Sequence, residues 1–130
     1  MLAGNFTEES GYAAGQKVAA ATPRPDAVFA ANDMMAIGCL FALRDAGLRV
    51  PEDVALAGFD DIPVARYISP PLTTVRAQTT ELGRQALDAL AHAIEEPGDG
   101  KFVRHTLGTQ LVVRASCGGP RSGPATRPGH

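Results

Sequence analysis

Two polar pairs follow two apolar runs in this chain. Asn32-Asp33 closes "DAVFAA" (26–31), and Asp60-Asp61 closes "VALAGF" (54–59). An amide both donates and accepts hydrogen bonds, and a carboxylate can accept from two neighbouring hydroxyls. The set therefore suits a polyol, a sugar or a nucleoside. Taken singly, each residue has a plainer use: Asn32 or Asp33 caps a helix, and Asp60 or Asp61 shapes a turn. Taken together they mark a crevice, because ligands of open parallel α/β sheets bind beyond the carboxyl ends of the strands.

Catalytic readings fail on their missing partners. A phosphate-accepting receiver domain needs a lysine at another strand end, but Lys17 falls on a helix and Lys101 in a loop. A magnesium-dependent hydrolase built on Asp60 and Asp61 wants further carboxylates and a phosphate-binding helix terminus. His92 falls in a helix and His105 in a strand, with no serine or cysteine placed to complete a triad. Cys39 and Cys117 lie far apart, without the spacing of a metal site or a disulfide framework. The expectation is a protein that is not an enzyme and uses no metal or cofactor.

The elements that must position the polar pairs are legible in order. "TEESGYAAGQKVAAA" (7–21) reads as a helix capped by Thr7, with Glu8 and Glu9 at the positive end of its dipole. The run 26–31 reads as a strand buried on both faces. "NDMMAIGCLFALRDAG" (32–47) is a helix stopped by Gly47, and 54–59 is a second strand, so residues 26–59 form a β-α-β unit with a right-handed crossover. "LTTVRAQ" (72–78) is a third extended segment. Thr80 caps "ELGRQALDALAHAIEE" (81–96), whose Leu82, Ala86, Leu87, Leu90, Ala93 and Ile94 make one apolar stripe. "KFVRHTLG" and "TQLVVRAS" could pair as closing strands. Residues 117–130, rich in Gly and Pro, read as a disordered tail.

The totals narrow the class. One hundred and thirty residues suffice for one ordinary domain, and 45% apolar with 20% charged residues is a globular balance. A net charge of −2 without a basic stripe makes this segment alone a poor candidate for gripping nucleic acid. No apolar run approaches the roughly 20 residues that span a bilayer. The opening "MLAGNFTEES" lacks a positive region followed by an apolar core, and the chain reads as cytoplasmic. Two good parallel strands make a sheet too narrow to bury two helix layers, so the chain looks like part of a larger α/β protein.

"GNFTEESGY", "PDAVFAANDMMAIG", "LRDAGLRVPEDVALAGFDDIP" and "SPPLTTVRAQTTELG" closely resemble the C-terminal half of the effector-binding domain of LacI/GalR (lac-repressor-like) transcription regulators. The likeness runs in order over nearly the whole chain before the tail, so residues 1–116 are expected to be this part of the domain. It implies the α/β fold of type I periplasmic sugar-binding proteins: a parallel-sheet lobe, here without the N-terminal lobe and without the helix-turn-helix domain. An effector, sugar or nucleoside-like, would bind between the lobes, and operator DNA would be bound only through the missing N-terminal domain, with no membrane partner. The function implied is effector sensing in a repressor; the alternative is a fragment of a periplasmic sugar-binding protein of an ABC transporter.

Carried over by position, Asn32 and Asp60 would hydrogen-bond the effector, and Phe6 would stack on its ring, unless Phe6 is only a loop aromatic capping the core. Ala77 stands where the family usually has glutamine, which removes an amide from the crossover. The resemblance also places the outer face of the 33–46 helix and the following loop in a two-fold homodimer interface, with Ile37, Leu40, Tyr67 and Ile68 as the contacts. The helix at 81–96 would pack on the missing lobe.

Overall fold

A computed structural model describes residues 1–96 and 104–119. The elements run α1 (Glu8–Ala20), β1 (Ala27–Phe29), α2 (Asp33–Asp45), β2 (Ala55–Phe59), a 3-10 turn (Pro63–Arg66), β3 (Thr73–Arg76), α3 (Thr79–Glu95), β4 (Gln110–Val112) and a second 3-10 turn (Ala115–Cys117). The strands form one sheet in the order β1-β2-β3-β4, with β1-β2 and β2-β3 parallel. The expected β-α-β unit is present, flanked by a third parallel strand. The chain divides into two compact units, one formed by Met1–Arg76 with the residues from Leu111, the other by Ala77–Gln110.

In the first unit, Thr7 caps α1 by accepting the Ser10 N–H, and Asn32 caps α2 by accepting the Met35 N–H. The two helices touch backbone to backbone. A Cβ on Gly38 would lie 2.0 Å from the Glu8 carbonyl oxygen, and one on Gly11 would lie 2.1 Å from that of Met35. Only glycine permits that approach. Leu40, Leu43, Val54, Leu56, Ala65 and Leu72, each no more than 1% exposed, form the centre of the core.

Strand register sorts the two sheet faces. Leu56 and Gly58 turn toward α2, and Thr74, paired with Gly58, joins them. Thr73 faces the other way and is buried under the second 3-10 turn: its N–H donates to Ser116 Oγ at 2.8 Å, while the Ser116 hydroxyl donates to the Leu56 carbonyl at 2.6 Å. On that same face Phe29 stays 64% exposed, so β1 is not buried on both sides as its apolar run predicts. Cys117, which composition groups with the tail, belongs to this turn. Residues 120–130 of the expected disordered tail lie outside the described residues.

The second unit is mainly α3, which starts after Gln78, two residues earlier than Thr80 predicts; Thr80 lies inside the helix and Gln78 makes no capping side-chain bond. Residues 104–109 are not a strand, so the expected pairing of two closing strands reduces to β4, and residues 101–103 lie outside the described residues. Arg84 bridges Glu81 at 2.6 Å and Asp88 at 2.8 Å on the polar side of α3, and its hydrogen bond pulls the Glu81 carboxyl down to about 2. The apolar stripe is open: Leu82, Leu87, Leu90 and Ile94 are each 55–69% exposed. Each such side chain gains about 1.5–3 kcal/mol on burial, so the chain is expected to self-associate with rising concentration. Replacing Leu87 and Leu90 together by glutamate should return the sedimentation coefficient to the monomer value while leaving the melting of the first unit unchanged.

Candidate functional site

The carboxyl ends of β1 and β2 lie side by side, since the strands are parallel neighbours with Phe29 opposite Ala57 and the Ala30 N–H donating to the Ala57 carbonyl at 2.9 Å. Asn32 follows one end and Asp60 the other. The Asn32 side chain is doubly engaged: Oδ1 accepts from the Met35 N–H at 2.9 Å, and Nδ2 donates to the Phe6 carbonyl at 3.0 Å. One amide hydrogen and one lone pair remain for another partner. Phe6 is 66% exposed, so it is not a cap on the core.

Backbone geometry singles out Phe6 and Asp60 as well, and adds Asp61. The non-glycine residues with positive φ among those described are Phe6 (67°), Asp60 (114°) and Asp61 (56°). A left-handed conformation costs an L-residue roughly 1–2 kcal/mol, and such positions cluster where function needs them. Asp60 is exposed, and its N–H donates to the Val75 carbonyl at 2.9 Å.

The neighbouring acids do a different job. Asp61, with a side chain only 2% exposed, lies between two guanidiniums: Arg76 at 2.6 Å and Arg114 at 2.5 Å. Burial opposes its ionisation, but the hydrogen bonds from Arg114 and Arg76 and their charges outweigh it and hold the carboxyl below its usual range. Arg114 is anchored in turn, donating to the Leu72 carbonyl at 2.8 Å. Asp33 is wholly buried, accepting from the Thr74 hydroxyl at 2.6 Å and the Ile62 N–H at 2.9 Å. Burial raises its pKa, the two hydrogen bonds work against the rise, and the charges of Asp60 and Asp61 add to it.

Sequence reasoning treats Asn32 or Asp33 as the cap; Asn32 is the cap and Asp33 is not. It misses Asp61, Thr74, Arg76 and Arg114 as one network. The signal available was an arginine at the end of each of two β-branched or apolar runs, "TTVR" and "VVR", beside an acid pair. The residues expected at the interface differ in their exposure within the chain. Leu40, 1% exposed, belongs to the lobe's own core, and Ile37 is 6% exposed, because both lie on the inward side of α2. Ile68 is half-buried against the core, and Tyr67 is 79% exposed. The outward side of α2 offers Met34 and Phe41 instead, 38% and 41% exposed.

A shallow groove of about 390 Å³ runs between α1 and the far end of α2, lined by Tyr12, Gln16, Ala19, Ala42 and Asp45 among others. None of the strand-end residues borders it. His92 and His105 are both exposed. Among the described residues no cluster of His, Cys, Asp or Glu could hold a metal ion, and no helix is long and apolar enough to cross a membrane.

Comparison with known proteins adds a second line. The family described as "Periplasmic binding protein-like domain" matches residues 2–117. The lactose operon repressor of Rhizobium radiobacter is 42% identical over 112 residues, which cover 86% of this chain and 97% of that one. The HTH-type transcriptional repressor PurR of Haemophilus influenzae is 38% identical over 118 residues, 89% of this chain and 35% of that one. Among solved structures, a transcriptional regulator CelR-cellobiose complex superposes with a TM-score of 0.81 at 43% identity, covering 87% of this chain and 34% of that one. The chain thus spans about a third of the length of the PurR repressors it matches.

Proposed function

This chain belongs to the periplasmic-binding-protein-like domains of the LacI family of transcriptional regulators, and from that premise we propose that it is the effector-sensing segment of a cytoplasmic, homodimeric repressor. The observation that supports the reading is that Asn32, bonded to the Phe6 carbonyl, and Asp60 follow the carboxyl ends of two adjacent parallel strands, with Phe6 and Asp60 both held in left-handed backbone. Asp60 presents an exposed carboxylate, Asn32 keeps one donor and one acceptor, and Phe6 offers an open ring. That is the chemistry of a small polyhydroxylated ring: hydroxyl pairs on the carboxylate and amide, the apolar ring face on the aromatic.

The role is binding and not catalysis. With a net charge of −2, the segment supplies no phosphate contacts, so operator DNA is met by a separate domain of a longer protein. One wall of a cleft buries too little of a ligand, since sites typically enclose about 70–90% of its surface. The 130-residue chain alone is therefore expected to hold effectors weakly, and the test belongs in the longer protein carrying both lobes.

Titration calorimetry of that protein with cellobiose, glucose, ribose and adenosine should find binding by at least one sugar or the nucleoside. Asp60→Ala should weaken it by about 1–3 kcal/mol, because a hydroxyl pair loses its acceptor in a desolvated site. Unchanged affinity in Asp60→Ala removes Asp60 from the site; no binding by any of the four rejects the ligand class.

A further inference from the structure

We propose that the Asn32-Asp33 dipeptide is a bracket that holds both candidate contact loops in their left-handed shape, with Asp33, acting through Thr74, the positioning residue for Asp60. The inference deepens the effector-binding reading and rests on it for the importance of Asp60. Its own evidence is the pattern of hydrogen bonds at the first two residues of α2. They reach in opposite directions.

Asn32 reaches back to the Phe6 carbonyl, at a residue whose φ is 67°. Asp33 reaches forward to the turn after β2. Its Oδ2 accepts from the Ile62 N–H at 2.9 Å, and its Oδ1 accepts from the Thr74 hydroxyl at 2.6 Å. The Thr74 oxygen then accepts from the Asp61 N–H at 3.3 Å. Two successive amides of the turn therefore end on one buried carboxylate, directly or through a single hydroxyl. These are the amides that follow the two residues with φ of 114° and 56°. Backbone in that region persists where its surroundings over-determine it, and here the surroundings are Asp33 and Thr74.

The chemistry needs an acid at this position. Asn32 already caps α2, so Asp33 is not spent on capping. A carboxylate accepts at both oxygens and presents no hydrogen, whereas an asparagine would turn an NH2 toward a donor. Space for the carboxylate is provided as well: a Cβ on Gly58 would stand 2.3 Å from Asp33 Oδ1. Burial of such a group without these partners would be unfavourable, and the sequence keeps it wholly buried with both oxygens satisfied.

Amide hydrogen exchange on the 130-residue chain, followed by NMR, tests the bracket without any ligand. In Thr74→Val the Asp61 and Ile62 amides should exchange at least tenfold faster. The Ala30 and Ala55 amides, bonded to the Ala57 and Asp26 carbonyls, should keep their rates. Thr74→Ser, which retains the hydroxyl, should restore protection, and Asp33→Asn should lose it. Unchanged Asp61 and Ile62 rates in Thr74→Val, or equal acceleration of all four amides, overturns the bracket. In the longer protein with cellobiose as probe, Thr74→Val should weaken binding about tenfold and Thr74→Ser should not; equal affinity in Thr74→Val overturns the positioning of Asp60. If cellobiose does not bind the unmodified protein, the tightest binder among glucose, ribose and adenosine serves as the probe; absence of binding by all four counts against the functional reading alone, since the exchange result stands without it.

Discussion

Asp61→Ala is expected to lower the unfolding free energy of the first unit by about 3–5 kcal/mol, the usual cost of removing one partner from a buried ion pair. Its carboxylate is nearly inaccessible and answers two guanidiniums. Its loss leaves the Arg114 charge, 86% enclosed by the same fold, without a counter-charge. Set against a typical total of roughly 5–15 kcal/mol, that is a large share. The checking measurement is chemical denaturation followed by circular dichroism: the midpoint should fall with little change in slope. A loss under about 1 kcal/mol, the range of exposed pairs, would show that solvent already screens the cluster.

The same cluster gives a pH dependence with a definite sign. Asp61 has its folded pKa below its unfolded one, so its contribution is fully present above the unfolded value and is lost as pH falls through the folded value. Asp33 runs the other way: its folded pKa is raised, so its contribution favours the fold at low pH and fades as pH rises through the folded value. The acid limb of the stability curve should therefore be shallower in Asp61→Asn than in the unmodified chain. Asp33→Asn should not flatten it.

The second large effect is at Leu40. With 1% of its surface exposed in the centre of the core, Leu40→Ala should cost about 2–5 kcal/mol through lost transfer energy and the cavity left behind. Thermal melts at two protein concentrations separate this from a subunit contact. A core residue lowers both melts equally; an interface residue lowers them by an amount that depends on concentration. Tyr67→Arg, at a 79% exposed position, should do the reverse, leaving the monomer melt in place and shifting only self-association.

Much of the scaffold was legible because its signals are local. Thr7 and Asn32 cap where their types predict, Gly47 ends α2 at φ 76°, and the apolar runs became parallel strands in the expected order. What stayed hidden depends on contacts far apart in the chain. Asp33 meets Thr74 across 41 positions and Asp61 meets Arg114 across 53. No periodicity encodes such a pairing. The residue types alone did not separate Asp60 from Asp61, which only the family resemblance did, since adjacent identical side chains differ here only in which way a left-handed turn points them. The burial of Leu40 stayed hidden for a related reason: a helix apolar on most sides does not reveal which side its neighbours occupy.

The crossing of α1 and α2 at Gly11 and Gly38 has a mechanical side. Close-packed protein interiors have low compressibility and pass strain on, and where backbone meets backbone no side-chain rotamer lies between the helices to re-pack. Here peptide group meets peptide group, and the contact has almost no compliance. The turn at Phe6 leads directly into α1, while the turn at Asp60–Ile62 is tied to the first residues of α2. A push on either turn is thus delivered to both helices as one stiff strut. The outward residues Met34 and Phe41 ride on that strut. Its stiffness fixes how far from the strand ends a movement of a fraction of an ångström can still be felt.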